Sequence, residues 1–183
     1  MNKSLKALFL ANGVFVFAGN LLGPLYAVFV EGLDKGVMSI SASWAAFLVS
    51  ATLFTYVSSL FGDKVKHKEY LLMCGYLIRA VVWGLFITIH TIGALVALQI
   101  MLGLGEALGT PAFDVIFAEH LDRGHHIADF SRWKIINNLV SAAGTLLGGF
   151  IASNFGFSPL FAIMSVGAFI SFIFVLTKPR SLL

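Results

Sequence analysis

From Ala7 to Val30, and again from Gly36 to Gly62, the chain carries no charged side chain, and the stretch from Ile135 to Thr177 is equally free of charge. Runs of this kind restrict the fold more than anything else in the sequence. About 20 apolar residues make a helix long enough to cross the hydrocarbon core, and lipid admits only structures that satisfy their backbone hydrogen bonds internally. Two more apolar runs hold few charges: Tyr70 to Ile89 contains Arg79, and Gly93 to Ala118 contains Glu106 and Asp114. The final stretch is about twice the length of a span, and Asn154-Phe155-Gly156-Phe157-Ser158-Pro159 puts turn chemistry at its middle. The reading is an all-α membrane protein with one domain over residues 1–183 and six transmembrane helices at about 7–30, 37–61, 70–89, 93–118, 135–154 and 158–177.

Composition agrees with a lipid environment. The chain is 58% hydrophobic and only 11% charged, whereas a water-soluble domain covers its surface with about a quarter charged residues. The net charge of +3 does not point to nucleic acid, because the bases sit in short loops where they set orientation. With six alternating spans, Lys3, Lys6, Lys64, Lys66, Lys68, Arg123, Arg132, Lys134, Lys178 and Arg180 fall on one side and Lys35 on the other, so both termini are expected in the cytoplasm. Met1 to Lys6 before an apolar run has the outline of a signal peptide, but that run is too long and lacks a cleavage site. Cys74 is the single cysteine and cannot form an internal disulfide.

The loop Ser59-Leu60-Phe61-Gly62-Asp63-Lys64-Val65-Lys66-His67-Lys68 places an acid at a helix end ahead of a basic cluster. It resembles the loop between helices two and three of the major facilitator superfamily of secondary transporters. In that family a glycine stands four residues before the acid, and a base, a variable residue, a second glycine and two bases follow. Here Asp63, Lys64 and Lys68 match, His67 stands in for a base, and Ser59 and Lys66 replace the glycines. Gly103-Leu104-Gly105-Glu106-Ala107-Leu108-Gly109-Thr110-Pro111-Ala112-Phe113 is similar to the family's glycine-rich fourth helix, and Arg123-Gly124 to the pair that follows it. Gly144-Thr145-Leu146-Leu147-Gly148-Gly149 resembles the fifth helix of drug/proton antiporters, but Gly149 replaces its proline and Ala152-Ser153 its glycine pair, which puts antiport in doubt.

The resemblance implies one six-helix half of a transporter, like short bacterial members of the family, in a bacterial inner membrane. The halves of a full transporter are related by an axis along the membrane normal, with the substrate between them, so a parallel homodimer of this chain can rebuild the twelve-helix unit. Small residues allow close helix contact in lipid. Ala42, Ala46 and Ser50 form such a stripe on the second span, and Ser141, Thr145 and Gly149, beside Gly144 and Gly148, form one on the fifth. These stripes fit either a dimer interface or packing within one chain. By the same resemblance Asp63, with Lys64 and Lys68, belongs to a cytoplasmic gate, its carboxylate facing the start of the partner's fifth span near Trp133 to Ile136.

A charge at mid-bilayer costs several kcal/mol and faces a partner or a cavity. Arg79 and Glu106 lie at depths that differ by about 4–5 Å at 1.5 Å per residue, close enough for an ion pair that is either a static staple or part of a pathway. Gln99, Glu106 and Thr110 share one face of the fourth span; Asn12, Gly19, Gly23 and Tyr26 do so on the first. The resemblance makes these two helices the cavity lining, so Asn12, Tyr26, Gln99, Arg79 and Glu106 are the candidate substrate and proton pathway, with Glu106 the proton carrier and Asn20 and Asp114 weaker candidates. His120, His125 and His126, with Asp122 and Asp129, lack strict ligand spacing and read as a hydrated loop. Nothing calls for a metal or cofactor. Trp44, Trp83 and Trp133 read as interface anchors.

Three functions remain open on this reading. The first is a homodimeric transporter moving a small molecule by alternating access. The second is a non-transporting assembly or scaffold protein with the same fold, and the third is an isolated N-terminal half of a longer transporter. No motif of an intramembrane enzyme appears, so no catalytic role is expected. Substrate, coupling ion and direction are not written in the sequence.

Overall fold

The computed structural model describes residues 3–121 and 124–177. Arg123, Asp122, Lys178 and Arg180 lie outside the described residues. Seven helices form six spans: α1 (Lys3–Leu22) and α2 (Tyr26–Leu33) make the first, followed by α3 (Val37–Ser59), α4 (Lys68–Leu85), α5 (Ile92–Glu119), α6 (His126–Phe155) and α7 (Phe157–Thr177). All six spans are long and apolar enough to cross a membrane, and the protein is an integral membrane protein.

The ends of the helices follow from local chemistry. The Thr91 hydroxyl accepts the Ala94 N–H at 3.3 Å and caps α5. Gly156, at φ 81°, ends α6 by donating its N–H to the Ala152 carbonyl, and α7 begins at the next residue. The Lys68 ammonium donates to the Gly62 carbonyl at 2.6 Å and closes the α3–α4 connection.

Two prolines break the internal ladder, and each freed carbonyl finds a hydroxyl on a neighbouring span. Pro24 follows Gly23 (φ 28°) in a single 3₁₀ turn between α1 and α2 and leaves the Asn20 carbonyl without its donor; Thr145 of α6 donates to it at 3.4 Å. Pro111 does the same to the Ala107 carbonyl inside α5, which receives Ser58 of α3 at 3.4 Å. Kinks in lipid persist when such groups are satisfied again in this way.

Packing orders the spans as α3, α5, α4, α7, α1, α6. The two helices at the ends of this row are the least covered: 11% of the apolar stretch of α3 and of α6 is buried, against 33–44% in the other spans. The core divides into two apolar clusters. One gathers Leu5, Leu8, Leu72, Tyr76, Phe117 and Val175 at the end that carries Lys6, Lys64 and Lys134, called here the basic end. The other gathers Leu21, Val30, Phe86, Leu95 and Phe161 at the far end.

The helix limits differ from the sequence expectation chiefly at α6, which starts at His126 rather than near residue 135. The nine residues from 126 to 134 carry His126, Asp129, Arg132 and Lys134 yet are helical and not a loop. Asp129 in the first turn favours the helix N-terminus and pairs with Arg132 at 3.0 Å.

Candidate functional site: a polar layer between two cavities

Between the two apolar clusters lies a layer of polar side chains. Arg79 of α4 reaches across to Glu106 of α5 and forms an ion pair, while the Thr110 hydroxyl donates to the other Glu106 oxygen at 2.7 Å. Arg79 is 6% exposed. Its stem lies against Gly105 and its guanidinium against Gly109, where a Cβ would stand 3.2 Å from Arg79 atoms, and the guanidinium sits 4.8 Å from the Phe15 ring centre. Glycines in α5 thus make the slot that admits the arginine, and the ring face supports its charge. Glu106 is more open, its side chain 37% exposed.

A second polar chain stands toward the far end. Gln99 donates its amide N–H to the Tyr26 hydroxyl at 2.6 Å, and Tyr26 and Ser43 of α3 share a hydrogen bond of 2.7 Å. A third stands toward the basic end, where the Tyr76 hydroxyl donates to the Asn12 amide oxygen at 2.8 Å.

These groups border two cavities. The larger, about 350 Å³, lies toward the far end and is lined by Tyr26, Trp44, Phe47, Trp83, Gln99 and Asn20, among others. The smaller, about 230 Å³, lies toward the basic end and is lined by Asn12, Tyr76, Thr110, Asp114, Trp133 and Asn137. Phe15, Val16, Arg79 and Glu106 belong to both. They form the partition between a chamber rich in aromatic side chains and a smaller one with more polar side chains.

All five residues expected in the pathway therefore border these cavities, Asn12 on the basic side, Tyr26 and Gln99 on the far side, Arg79 and Glu106 on both. Sequence reasoning missed Tyr76, an unremarkable aromatic in an apolar run, and the cavity roles of Phe15 and Phe47. It also misplaced Trp83. Trp83 is buried beside Phe15, with ring centres 5.5 Å apart, and Trp133 packs on Phe9 and Phe113 at 4.9 and 5.2 Å. Trp83 is thus a core residue rather than an interface anchor.

Of the two readings of the small-residue stripes, packing within the chain accounts for part of each. Gly144 and Gly148 face α1: a Cβ on Gly144 would stand 2.7 Å from the Phe17 carbonyl oxygen, and one on Gly148 would collide with the Leu21 carbonyl. Ser50 is buried against Gly103 of α5. The small residues are needed inside the chain because α3 and α6 seat themselves on backbone. Of the remaining stripe, Ala42 is exposed and Ala46 half-buried. Opposite the seated faces, Ser41, Ala45 and Thr52 of α3 are exposed, as is Ala142 of α6, and Gly149 has open space around it.

Asp63 and Lys64 are exposed in the turn after α3. Asp63 and Lys68 border a shallow cavity of about 210 Å³ with Ser58, Ser59 and Pro111, and Asp63 forms no ion pair among the described residues. With α6 starting at His126, Trp133 to Ile136 lie well inside the helix, where N–H groups are already used; the first turn, where a helix leaves N–H groups without an intrahelical partner, is at His126 to Ala128. Among the described residues no three histidine, cysteine, aspartate or glutamate side chains come together as a metal site.

Comparison with known proteins follows the same outline. The chain is 27% identical over 164 residues to a Bacillus subtilis (strain 168) protein named uncharacterized MFS-type transporter YitZ, covering 85% of this chain and 94% of that one. It is 28% identical over 148 residues to putative glycerol-3-phosphate transporter 5 of Arabidopsis thaliana, and 27% identical over 114 residues to glucose-6-phosphate exchanger SLC37A2 of Xenopus tropicalis. Those alignments take in 75% and 60% of this chain but only 29% and 22% of the relatives. A family model described as Major Facilitator Superfamily matches residues 8–182. Six apolar helices around a polar layer at mid-depth, matched along nearly their whole course, belong to the major facilitator superfamily, and this chain is a member of it.

Proposed function

We propose that the chain is one half of a secondary transporter, that two copies assemble in parallel, and that they move a small molecule by alternating access in a bacterial inner membrane with both termini cytoplasmic. Family membership and relatives named as transporters support a transport role rather than an enzymatic one. The observation that carries the dimer is the placement of α3 and α6: they end the row of helices, are the least covered, and flank the polar layer. A relative matched over 94% of its own length supports reading the half as a unit.

In a two-fold dimer with both copies inserted the same way, α3 of one copy faces α6 of the other. The helices then run antiparallel. Thr52 and Ala142 each lie about 20 Å from the far ends of their helices at 1.5 Å per residue, so the small outward residues meet at matching depth. Asp63 would sit beside the partner's α6 N-terminus, where unpaired N–H groups favour a carboxylate. The relatives named for glycerol 3-phosphate and glucose 6-phosphate make phosphorylated metabolites the first substrates to test.

Uptake of radiolabelled glucose 6-phosphate, glycerol 3-phosphate and phosphate into proteoliposomes tests transport, and the gate has its own variant. Asp63→Asn should slow transport several-fold with unchanged helix content and elution volume, since Asp63 is exposed and carries no packing. Full-rate transport by that variant would remove Asp63 from the mechanism.

A further inference from the structure

Outside the polar layer, α1 and α6 meet in two ways. In their far halves α6 seats on α1 backbone, with Gly144 against Phe17 and Gly148 against Leu21. Toward the basic end a groove of about 460 Å³ runs between them instead, where Leu10, Gly13 and Phe17 of α1 stand across from Ile136 and Val140 of α6, with Lys6 at its mouth. None of these residues borders the two cavities of the polar layer. Gly144, Gly148 and Gly167 each press on a neighbouring helix, but a Cβ on Gly13 would meet nothing within 4 Å. Its missing side chain leaves room that no described part of the chain fills.

Length and charge say what fits there. Lys6 to Phe17 spans about 16 Å at 1.5 Å per residue, which matches half of the hydrocarbon core of roughly 30 Å. The groove is therefore one leaflet deep, with Lys6 at headgroup level and Phe17 near the bilayer centre. Lys6 is exposed and forms no ion pair among the described residues. Arg132 of α6, one turn before Ile136, brings a second exposed base to the same end, and the acid beside it, Asp129, is buried and already paired with it. No carboxylate is among the described residues that line the groove. Basic sites between spans hold the phosphates of anionic lipids.

We infer that the α1–α6 groove holds an acyl chain of an anionic phospholipid from the leaflet at the basic end, with the lipid phosphate against Lys6 and Arg132 as its second contact. Such a lipid also braces the polar layer: Phe9 lines the groove, Trp133 lines the smaller cavity, and their ring centres are 4.9 Å apart, so these two rings are the wall between lipid and cavity. The proposed dimer leaves the site free. Ala142 and Gly149, its outward residues on α6, lie about 120–180° around the helix from Ile136 and Val140 at 3.6 residues per turn. The inference needs only insertion in a membrane and is independent of transport and of assembly.

Photolabelling tests it. The full chain is placed in phosphatidylcholine nanodiscs doped with a trace of phosphatidylglycerol or of phosphatidylcholine, each carrying a photoreactive group on one acyl chain, and the labelled peptides are mapped after irradiation. Phosphatidylglycerol should label residues 10–17 and 136–140 several-fold more than phosphatidylcholine does. Unlabelled phosphatidylglycerol should displace the label, and inorganic phosphate should not. Lys6→Gln should remove the excess of phosphatidylglycerol over phosphatidylcholine, while Gly13→Phe, which fills the groove, should remove the label from both lipids with helix content unchanged. If Gly13→Phe fails to give a monodisperse protein, Gly13→Val takes its place with the same expected direction. Equal labelling by the two lipids that ignores Lys6→Gln, or label spread evenly over the outward faces of all six spans, overturns the inference. Displacement by inorganic phosphate would make Lys6 a site for free phosphate and overturn the lipid assignment as well.

Discussion

Glu106→Ala should destabilise the protein by about 3 kcal/mol, and adding Arg79→Met should recover most of that loss. The size of the effect comes from what the first change leaves behind. Arg79 is nearly buried, wedged among Phe15, Gly105 and Gly109. Removing its carboxylate strands a cation at mid-depth, and a guanidinium does not shed its proton to escape. Methionine fills a similar volume without the charge. Reversible unfolding in mixed micelles, read by helix content, checks this. Single and double variants of equal stability would mean that the pair contributes nothing to the fold.

Gly148→Ala should break the α1–α6 packing while Gly149→Ala, one residue away, passes unnoticed. A Cβ on Gly148 collides with the Leu21 carbonyl, which is backbone and cannot swing aside, whereas nothing lies within 4 Å of a Cβ on Gly149. Overpacking of a tight contact costs about 1–3 kcal/mol, and more when backbone must move. An open surface position stays within about 0.5 kcal/mol. Gly75→Ala belongs with the first, since its Cβ would stand 2.6 Å from the Gly109 Cα across α4 and α5. Thermal melting of the three variants in one detergent checks the order. If Gly148→Ala and Gly149→Ala melt together, the α1–α6 contact is looser than described.

The spans were legible because charge-free runs admit one interpretation in lipid, and the Arg79–Glu106 pair because helical rise gives depth directly. Trp83 and the partners of the small-residue stripes were not. In a soluble protein polar residues mark the outer face, but in lipid both the core and the outside of a helix are apolar, so hydropathy does not say which way Trp83, Gly144 or Gly148 point. Small residues mark close approach without naming the partner helix, and here α1 and α5 took the contacts first. Polarity from His126 to Lys134 ends the apolar run without ending the helix, so residues read as a loop begin α6 instead.

The proposed dimer is tested most directly by a crosslink between copies. Cys74, the native cysteine, is exposed and is first changed to serine. Thr52→Cys and Ala142→Cys are then placed on separately tagged copies, expressed together in one membrane and oxidised. Two parallel copies with α3 against the partner's α6 should yield a disulfide-linked dimer carrying both tags, and reduction should release it. No mixed-tag dimer, together with a single-copy mass in lipid nanodiscs, would contradict the assembly and with it the transporter built from two copies.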